Sequence, residues 1–127
     1  MEKELVQLIL PEDLLKHFDI VKVGEVGEVS TKRMVIRIEL EEKNQIPEGY
    51  NSKEYESKGF YPVKIIQDFP LRGKAVYLAI KRRRWRHKTN KNEVISNDYS
   101  LIAEGSKLTK ELSDFLKDTG REPGRYH

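Results

Sequence analysis

The chain has 127 residues, no cysteine, 37% hydrophobic residues and 35% charged residues. These values predict one domain with a modest core, and they exclude disulfide bonds and cysteine-based catalysis. No apolar run approaches the roughly 18 residues of a membrane span, and the acidic first residues are unlike a secretory signal, so we expect a cytoplasmic protein with no membrane partner.

The N-terminal segment has helical spacing in two pieces. Leu5, Leu8 and Ile9 share one face, and Pro11 interrupts that face and can open a new turn. The apolar spacing then continues, so we expect one bent helix or two short helices that end near Asp19.

Alternating apolar and polar residues predict the strands. In the clearest case Met34, Ile36, Ile38 and Leu40 lie on one face of a half-buried strand. The polar residues 41–58 predict a long connection. The segments with strand character are residues 19–29, 32–40, 60–69, 74–85 and 94–105. Because successive strands pair most simply with their neighbours, we expect an antiparallel meander.

The C-terminal segment predicts a helix, because four apolar side chains share one helical face. These are Leu108, Leu112, Phe115 and Leu116. Its candidate caps are Ser106, Thr109 and Gly120. The order helix, strands, helix predicts a single α+β domain over residues 1–120, with a small antiparallel sheet of about four to six strands. Residues 121–127 are expected to form a flexible tail.

Charge is sorted along the chain. Residues 1–58 contain 9 Lys or Arg against 13 Asp or Glu, whereas residues 59–127 contain 15 against 8. Residues 72–91 hold nine basic side chains and no acidic one. Because such sorting creates a local positive field that the net charge of +3 conceals, we expect an anionic partner, and nucleic acid is the first candidate.

The densest group of cations lies at the end of the strand predicted over residues 74–85. Phosphates attract Lys and Arg by releasing condensed counterions, and Arg adds paired hydrogen bonds. The alternative is a solvated strand edge that uses charge to prevent aggregation, for which Lys is the usual residue. We predict contacts to nucleic acid from Arg72, Lys74, Lys81, Arg82, Arg83, Arg84, Trp85, Arg86, His87, Lys88 and Lys91.

The tryptophan within this group has a different expected role. Strand alternation places Arg82 and Arg84 on one face and Arg83 and Trp85 on the other. We expect Trp85 to be a partly buried anchor beneath arginines that fan outward. On this hypothesis, replacing the three arginines with Ser weakens DNA binding and leaves thermal unfolding nearly unchanged.

Metal and catalytic chemistry find little support in the sequence. The three histidines are widely separated, and a zinc site needs about four converging ligands. Neither a G-x-S-x-G nor a P-loop pattern is present. Asp68, Asp98 and Glu104 are the candidates for an acidic two-metal cluster, but solvated carboxylates are the preferred interpretation. We therefore expect no metal, no cofactor and no catalytic residue.

Three segments carry a resemblance to a known family. They are "LILPEDLLKHFDIVKV" at residues 8–23, "SKGFYPVKIIQDFPLRGKAVYLAIKRRRW" at residues 57–85 and "GSKLTKELSDFLKD" at residues 105–118. Together they resemble the N-terminal region of bacterial insertion-sequence transposases. The resemblance lies in the order of five short patterns, which are D-x-P, G-K, V-x-L-x-I, R-R-x-W and then a helix with T-K-E…F-L.

The resemblance implies a DNA-binding region that recognises the ends of a mobile element. Its implied partners are duplex DNA and the transposase catalytic domain, with a homodimer as a candidate assembly. The DDE catalytic triad of such transposases belongs to a separate or downstream segment, so the resemblance implies no catalysis by this chain. Many relatives carry paired zinc-binding cysteines after the Arg-rich strand. Residues 87–99 have none, so we expect a hairpin packed around Val94, Ile95, Tyr99 and Leu101.

Other functions would use the same cations. An RNA-binding module prefers single strands, on which Trp85 can stack. A protein-interaction domain would instead bind an acidic partner. An enzyme acting on phosphate esters is the third alternative, and the sequence does not assemble a metal site for it.

Overall fold

The computed structural model describes residues 6–7, 9–99 and 108–117. Val6 and Gln7 are helical, and the elements with described bounds are two helices and seven strands. The elements are α1 (Glu12–Leu15), β1 (Phe18–Gly27), β2 (Met34–Glu42), β3 (Tyr55–Phe60), β4 (Lys64–Leu71), β5 (Lys74–Lys81), β6 (Arg83–His87), β7 (Val94–Ile95) and α2 (Lys110–Lys117). The predicted α+β class is confirmed. Among the described residues, no helix has the length and apolar character that crossing a membrane requires.

The strands form two sheets instead of one meander. A four-stranded sheet has the order β1-β2-β5-β4, and a three-stranded sheet has the order β3-β6-β7. Neighbouring strands are antiparallel except β2 and β5, which pair in parallel. The meander prediction is wrong at this pair. Strands β3 and β4 follow β2 in the chain, but they pair with β6 and β5 and not with β2.

A long bent hairpin connects the two sheets. Its strands run through β3 and β4 and return through β5 and β6, and its two-residue turn is Arg72-Gly73. Both turn residues have positive φ, +51° and +79°, as a type I′ turn requires. At the bend the N–H of Tyr61 donates to the carbonyl of Arg82 at 2.8 Å. The half of the hairpin nearer the turn belongs to the four-stranded sheet, and the other half belongs to the three-stranded sheet.

The connection predicted over residues 41–58 is shorter in the structure. The strand β2 continues to Glu42 and β3 begins at Tyr55, which leaves residues 43–54 between them. The prediction missed β3 because its sequence is polar, and only its pairing with β6 supplies partners for its backbone.

The core lies between one face of the four-stranded sheet and the helices. Ile36, Ile38 and Leu40 face this core as the alternation predicts, whereas Met34 at the start of β2 is 48% exposed. Buried partners come from both helices and from the adjoining strands. They are Leu14, Phe18, Ile66, Val76, Leu78, Ile80, Leu112, Phe115 and Leu116.

The two helices differ from their predictions in extent. Helix α1 is one turn that follows Pro11, and Phe18 already begins β1, so the helical prediction to Asp19 is wrong. The β-branched residues that follow favour a strand. Helix α2 starts after Thr109, whose Oγ1 accepts the N–H of Leu112 at 3.3 Å and confirms that candidate cap. The positions of Leu5, Leu8, Ser106, Gly120 and the predicted tail lie outside the described residues.

Candidate nucleic-acid interface

The strand that continues from β5 into β6 changes neighbours at Arg82. Strand β2 lies beside β5 and ends at Glu42. Beyond that point, β7 lies on the same side, next to β6. The N–H of Arg83, which no longer has β2 beside it, donates to Oε1 of Glu42 at 2.7 Å. Glu42 is 1% exposed and also accepts hydrogen bonds from Asn97 Nδ2, at 3.0 Å, and from the hydroxyl of Tyr99. A buried carboxylate therefore satisfies the backbone where the two sheets meet.

Arg82 is part of this junction. It is 5% exposed, and its Nη2 donates to the main-chain oxygen of Asn97. Its guanidinium lies 5.3 Å from the ring centroid of Tyr99 and 5.9 Å from that of Phe115. The predicted contact of Arg82 with a ligand is therefore wrong, because its side chain is enclosed by the protein.

Trp85 is an anchor, and it is buried more completely than predicted. It is 0% exposed, and its Nε1 donates to Oδ1 of Asn44 at 2.8 Å. On the same face, Tyr55 makes edge-to-face contacts with Tyr50 and His87, at 5.4 and 5.1 Å between ring centroids. Because the indole is enclosed, the predicted contact of Trp85 with nucleic acid is wrong, and it offers no stacking surface.

His87 organises the turn between β6 and β7. Its Nδ1 accepts the N–H groups of Thr89 at 3.2 Å and Asn90 at 3.0 Å. The other ring nitrogen, Nε2, lies 3.6 Å from a carboxylate oxygen of Glu54. His87 therefore stabilises the turn between β6 and β7 by accepting these backbone hydrogen bonds.

The alternation in β6 separates the remaining arginines. Arg83 shares the face of Trp85, and Arg84 and Arg86 lie on the opposite face. Arg82 lies between β5 and β6, and its side chain contacts Tyr99 and Phe115, whereas the side chain of Arg84 contacts Tyr61. On the side of Arg84 the exposed or half-exposed cations form a surface that we name the cationic face. It consists of Lys58, Arg84, Arg86, Lys88 and Lys91, and it also carries acids, among them Glu56.

Two lysines of the cationic face, Lys58 and Lys91, share the carboxylate of Glu56. Lys91, hydrogen-bonded at 3.2 Å, and then Lys58, at 3.6 Å, hold the pKa of Glu56 below its ordinary value. Such exposed pairs contribute little to stability in water. Two cations on one acid leave an excess of positive charge even before the arginines are counted.

Two arginines of β6, Arg83 and Arg84, are held by hydrogen bonds to neutral groups. Arg83 donates from Nε to the main-chain oxygen of Glu42 and from Nη1 to Ser57, both at 3.1 Å, and lies 4.5 Å from the ring of Phe60. Arg84 donates from Nε to the main-chain oxygen of Lys58 at 3.3 Å. In the part of the chain that the structure describes, no carboxylate forms an ion pair with the guanidinium of Arg83, Arg84 or Arg86.

Three other predicted residues lie away from the cationic face. Arg72 is exposed in the hairpin turn, and Lys74 beside it pairs with Glu25 at 2.8 Å and lowers the pKa of that acid. The eight residues of β5 place them about 23 Å from its other end. At that end Lys81 lies 3.9 Å from Glu41.

Lys58 is the residue of the cationic face that sequence reasoning missed. It ends a polar segment that contains several acids, so composition gave no signal. A strand prediction for residues 55–60, paired with β6, would have placed it beside Arg84.

The hairpin predicted over residues 87–99 is present. Strands β6 and β7 pair, with Ile95 opposite Trp85, and Tyr99 is buried against Phe18 at 5.2 Å between ring centroids. Val94 is exposed, and Leu101 lies outside the described residues. Within the described ranges, His, Asp and Glu side chains do not gather into a group that could hold a metal ion.

Comparison of the chain with models of protein families, with characterised proteins and with solved structures found no match.

Proposed function

We propose that this chain is the DNA-binding N-terminal region of a bacterial insertion-sequence transposase and recognises mobile-element ends in the cytoplasm. The carrying observation is that Arg84 and Arg86 project from one face of β6 without a carboxylate partner among the described residues. Guanidinium groups without a carboxylate partner suit contact with phosphates. The proposal places the catalytic DDE triad in a separate or downstream segment, and it includes the catalytic domain and a second copy of the chain as partners.

Duplex DNA suits the cationic face better than single-stranded RNA. Single-strand binding relies on exposed aromatic rings on which bases stack. Here Trp85 and Tyr55 are buried, and Tyr61 lies beneath the guanidinium of Arg84 at 5.8 Å. The half-exposed Tyr50 packs against Tyr55 on the face of Trp85, opposite the cationic face. A narrow β-sheet with outward cations matches the major groove, which is about 12 Å wide and admits a two-stranded ribbon.

Binding is tested by titrating labelled duplex DNA, single-stranded RNA and polyglutamate with the protein while fluorescence anisotropy is recorded at several salt concentrations. We expect duplex affinity to dominate and to fall with salt by about 0.9 log units per neutralised phosphate per log unit of salt. The double variant R84S/R86S should weaken binding to every duplex, because both substitutions remove charge from the cationic face.

The matched control is R72S/K74S, which removes the same charge from the far end of β5 and should leave affinity nearly unchanged. Absence of duplex binding at low salt rejects the proposal, as does equal loss in the two double variants. Preferential binding of RNA or of polyglutamate would support an RNA-binding module or a protein-interaction domain instead.

A further inference from the structure

A β-bulge lies directly opposite Arg84. The pairing of β3 with β6 has Ser57 opposite Trp85 and then Phe60 opposite Arg83. Two residues, 58 and 59, therefore face the single residue Arg84. Bulges of this kind redirect side chains and release backbone groups from the ladder.

The bulge supplies the group that orients Arg84. Nε of Arg84 donates to the main-chain oxygen of Lys58 at 3.3 Å, and the guanidinium lies 5.8 Å from the ring centroid of Tyr61. These two contacts use one edge and one face of the guanidinium. The two terminal nitrogens form no hydrogen bond to any described residue, so their N–H groups are available to a ligand.

The surroundings of Arg84 leave room for a nucleic-acid groove. Strand β7 pairs only with Trp85 and Arg86, so the sheet is two strands wide at Arg84. Beside it, Gly59 has φ +80°, and the space that a Cβ would enter there contains no atom within 4 Å. A ribbon two strands wide can enter the major groove of duplex DNA.

Arg86 has a different setting on the same face. It lies in the regular ladder between Glu56 and Val94, and its Nε is buried without a hydrogen-bond partner. No bulge carbonyl orients it as Lys58 orients Arg84. It therefore provides charge, and it serves as a matched control for orientation.

We propose that Arg84 is a specificity-determining residue whose terminal nitrogens contact O6 and N7 of a guanine in the major groove, while Arg86 contacts the phosphate backbone. This inference rests on the proposed DNA-binding function. Arginine recognises guanine by two parallel hydrogen bonds, which Lys does not reproduce with the same geometry.

The test selects preferred duplexes from a random-sequence library with the wild type, R84K and R86K, all of which keep the charge. We expect the wild type and R86K to select a guanine at one fixed position. In R84K the preference for that guanine should fall about tenfold, with the salt dependence of binding unchanged.

A change in the DNA provides a second measurement that does not depend on folding of a variant. Replacing the selected guanine with 7-deazaguanine removes N7, so wild-type affinity should fall and R84K affinity should not fall further. An unchanged guanine preference in R84K, or its loss in R86K alone, overturns the inference and leaves DNA binding intact. Failure of the wild type to bind any duplex removes both.

Discussion

Consecutive arginines in one short run have different roles because their side chains meet different surroundings. Arg82 is enclosed with Tyr99 and Phe115, Arg83 joins the ends of β2 and β3, and Arg84 faces solvent. This division follows from position along the chain, since Arg82 lies where the two sheets meet and Arg84 lies beyond that junction in β6.

The difference between Arg82 and Arg84 predicts opposite outcomes for the same substitution. Arg82→Ser should lower the free energy of unfolding by about 3 kcal/mol, because it removes a hydrogen bond from a charged donor and two aromatic contacts. Arg84→Ser should change it by less than about 0.5 kcal/mol. Urea unfolding measures both values. Equal effects of the two substitutions would contradict the structural role of Arg82. A large loss of stability in Arg82→Ser would also contradict the sequence-based expectation that replacing all three arginines leaves unfolding nearly unchanged.

At the scale of elements, helix α2 covers the free edge of β4 at Gln67. The N–H of Gln67 donates to Oε2 of Glu111 at 2.7 Å, and the hydroxyl of Thr109 donates to the carbonyl of Gln67 at 3.3 Å. Side chains at the start of a helix thus occupy backbone groups that would otherwise pair with another strand. This is a recognised protection of sheet edges against aggregation.

The bulge in β3 requires a glycine, which gives a prediction at the same scale. Gly59→Ala should lower the free energy of unfolding by about 1 kcal/mol, because φ of +80° is strained for a residue with a Cβ. Gly24→Ala in β1 is the control, since its φ is not positive and the space beside it is open. It should be neutral or stabilising in urea unfolding. A stable Gly59→Ala protein would show that the bulge tolerates other backbone geometry.

At the scale of the whole molecule, a buried polar cluster joins the two sheets. Tyr99 lies at its centre, with its hydroxyl on Glu42 and its ring against Phe18 and His17. Burial, followed by the charge of Glu42, raises the pKa of Tyr99 far above its ordinary value of 10.0. The phenol therefore keeps its proton in the folded protein at pH values where an exposed tyrosine loses it.

This shift predicts a pH dependence of stability. Because the folded pKa is the higher one, the contribution of Tyr99 is complete below pH 10.0 and is lost as pH rises toward the folded pKa. The stability advantage of the wild type over Tyr99→Phe should therefore shrink between about pH 8 and about pH 11. Urea unfolding at both values tests it. A parallel decline of the two proteins would contradict the assignment.

Local patterns in the sequence determined a substantial part of the protein. Alternation placed Ile36, Ile38 and Leu40 in the core, helical spacing placed α2 against the sheet, and Trp85 was an expected anchor. Each of these depends on residues a few positions apart, whose geometry follows from the periods of a helix or a strand.

Only the tertiary structure decided which strands meet and where each cation points. The parallel pairing of β2 with β5, the strand formed by polar residues 55–60, the burial of Arg82 and the position of Lys58 beside Arg84 all depend on partners distant in sequence. A strand's sequence sets the period of its side chains, but its neighbour supplies the hydrogen bonds and decides which face is covered.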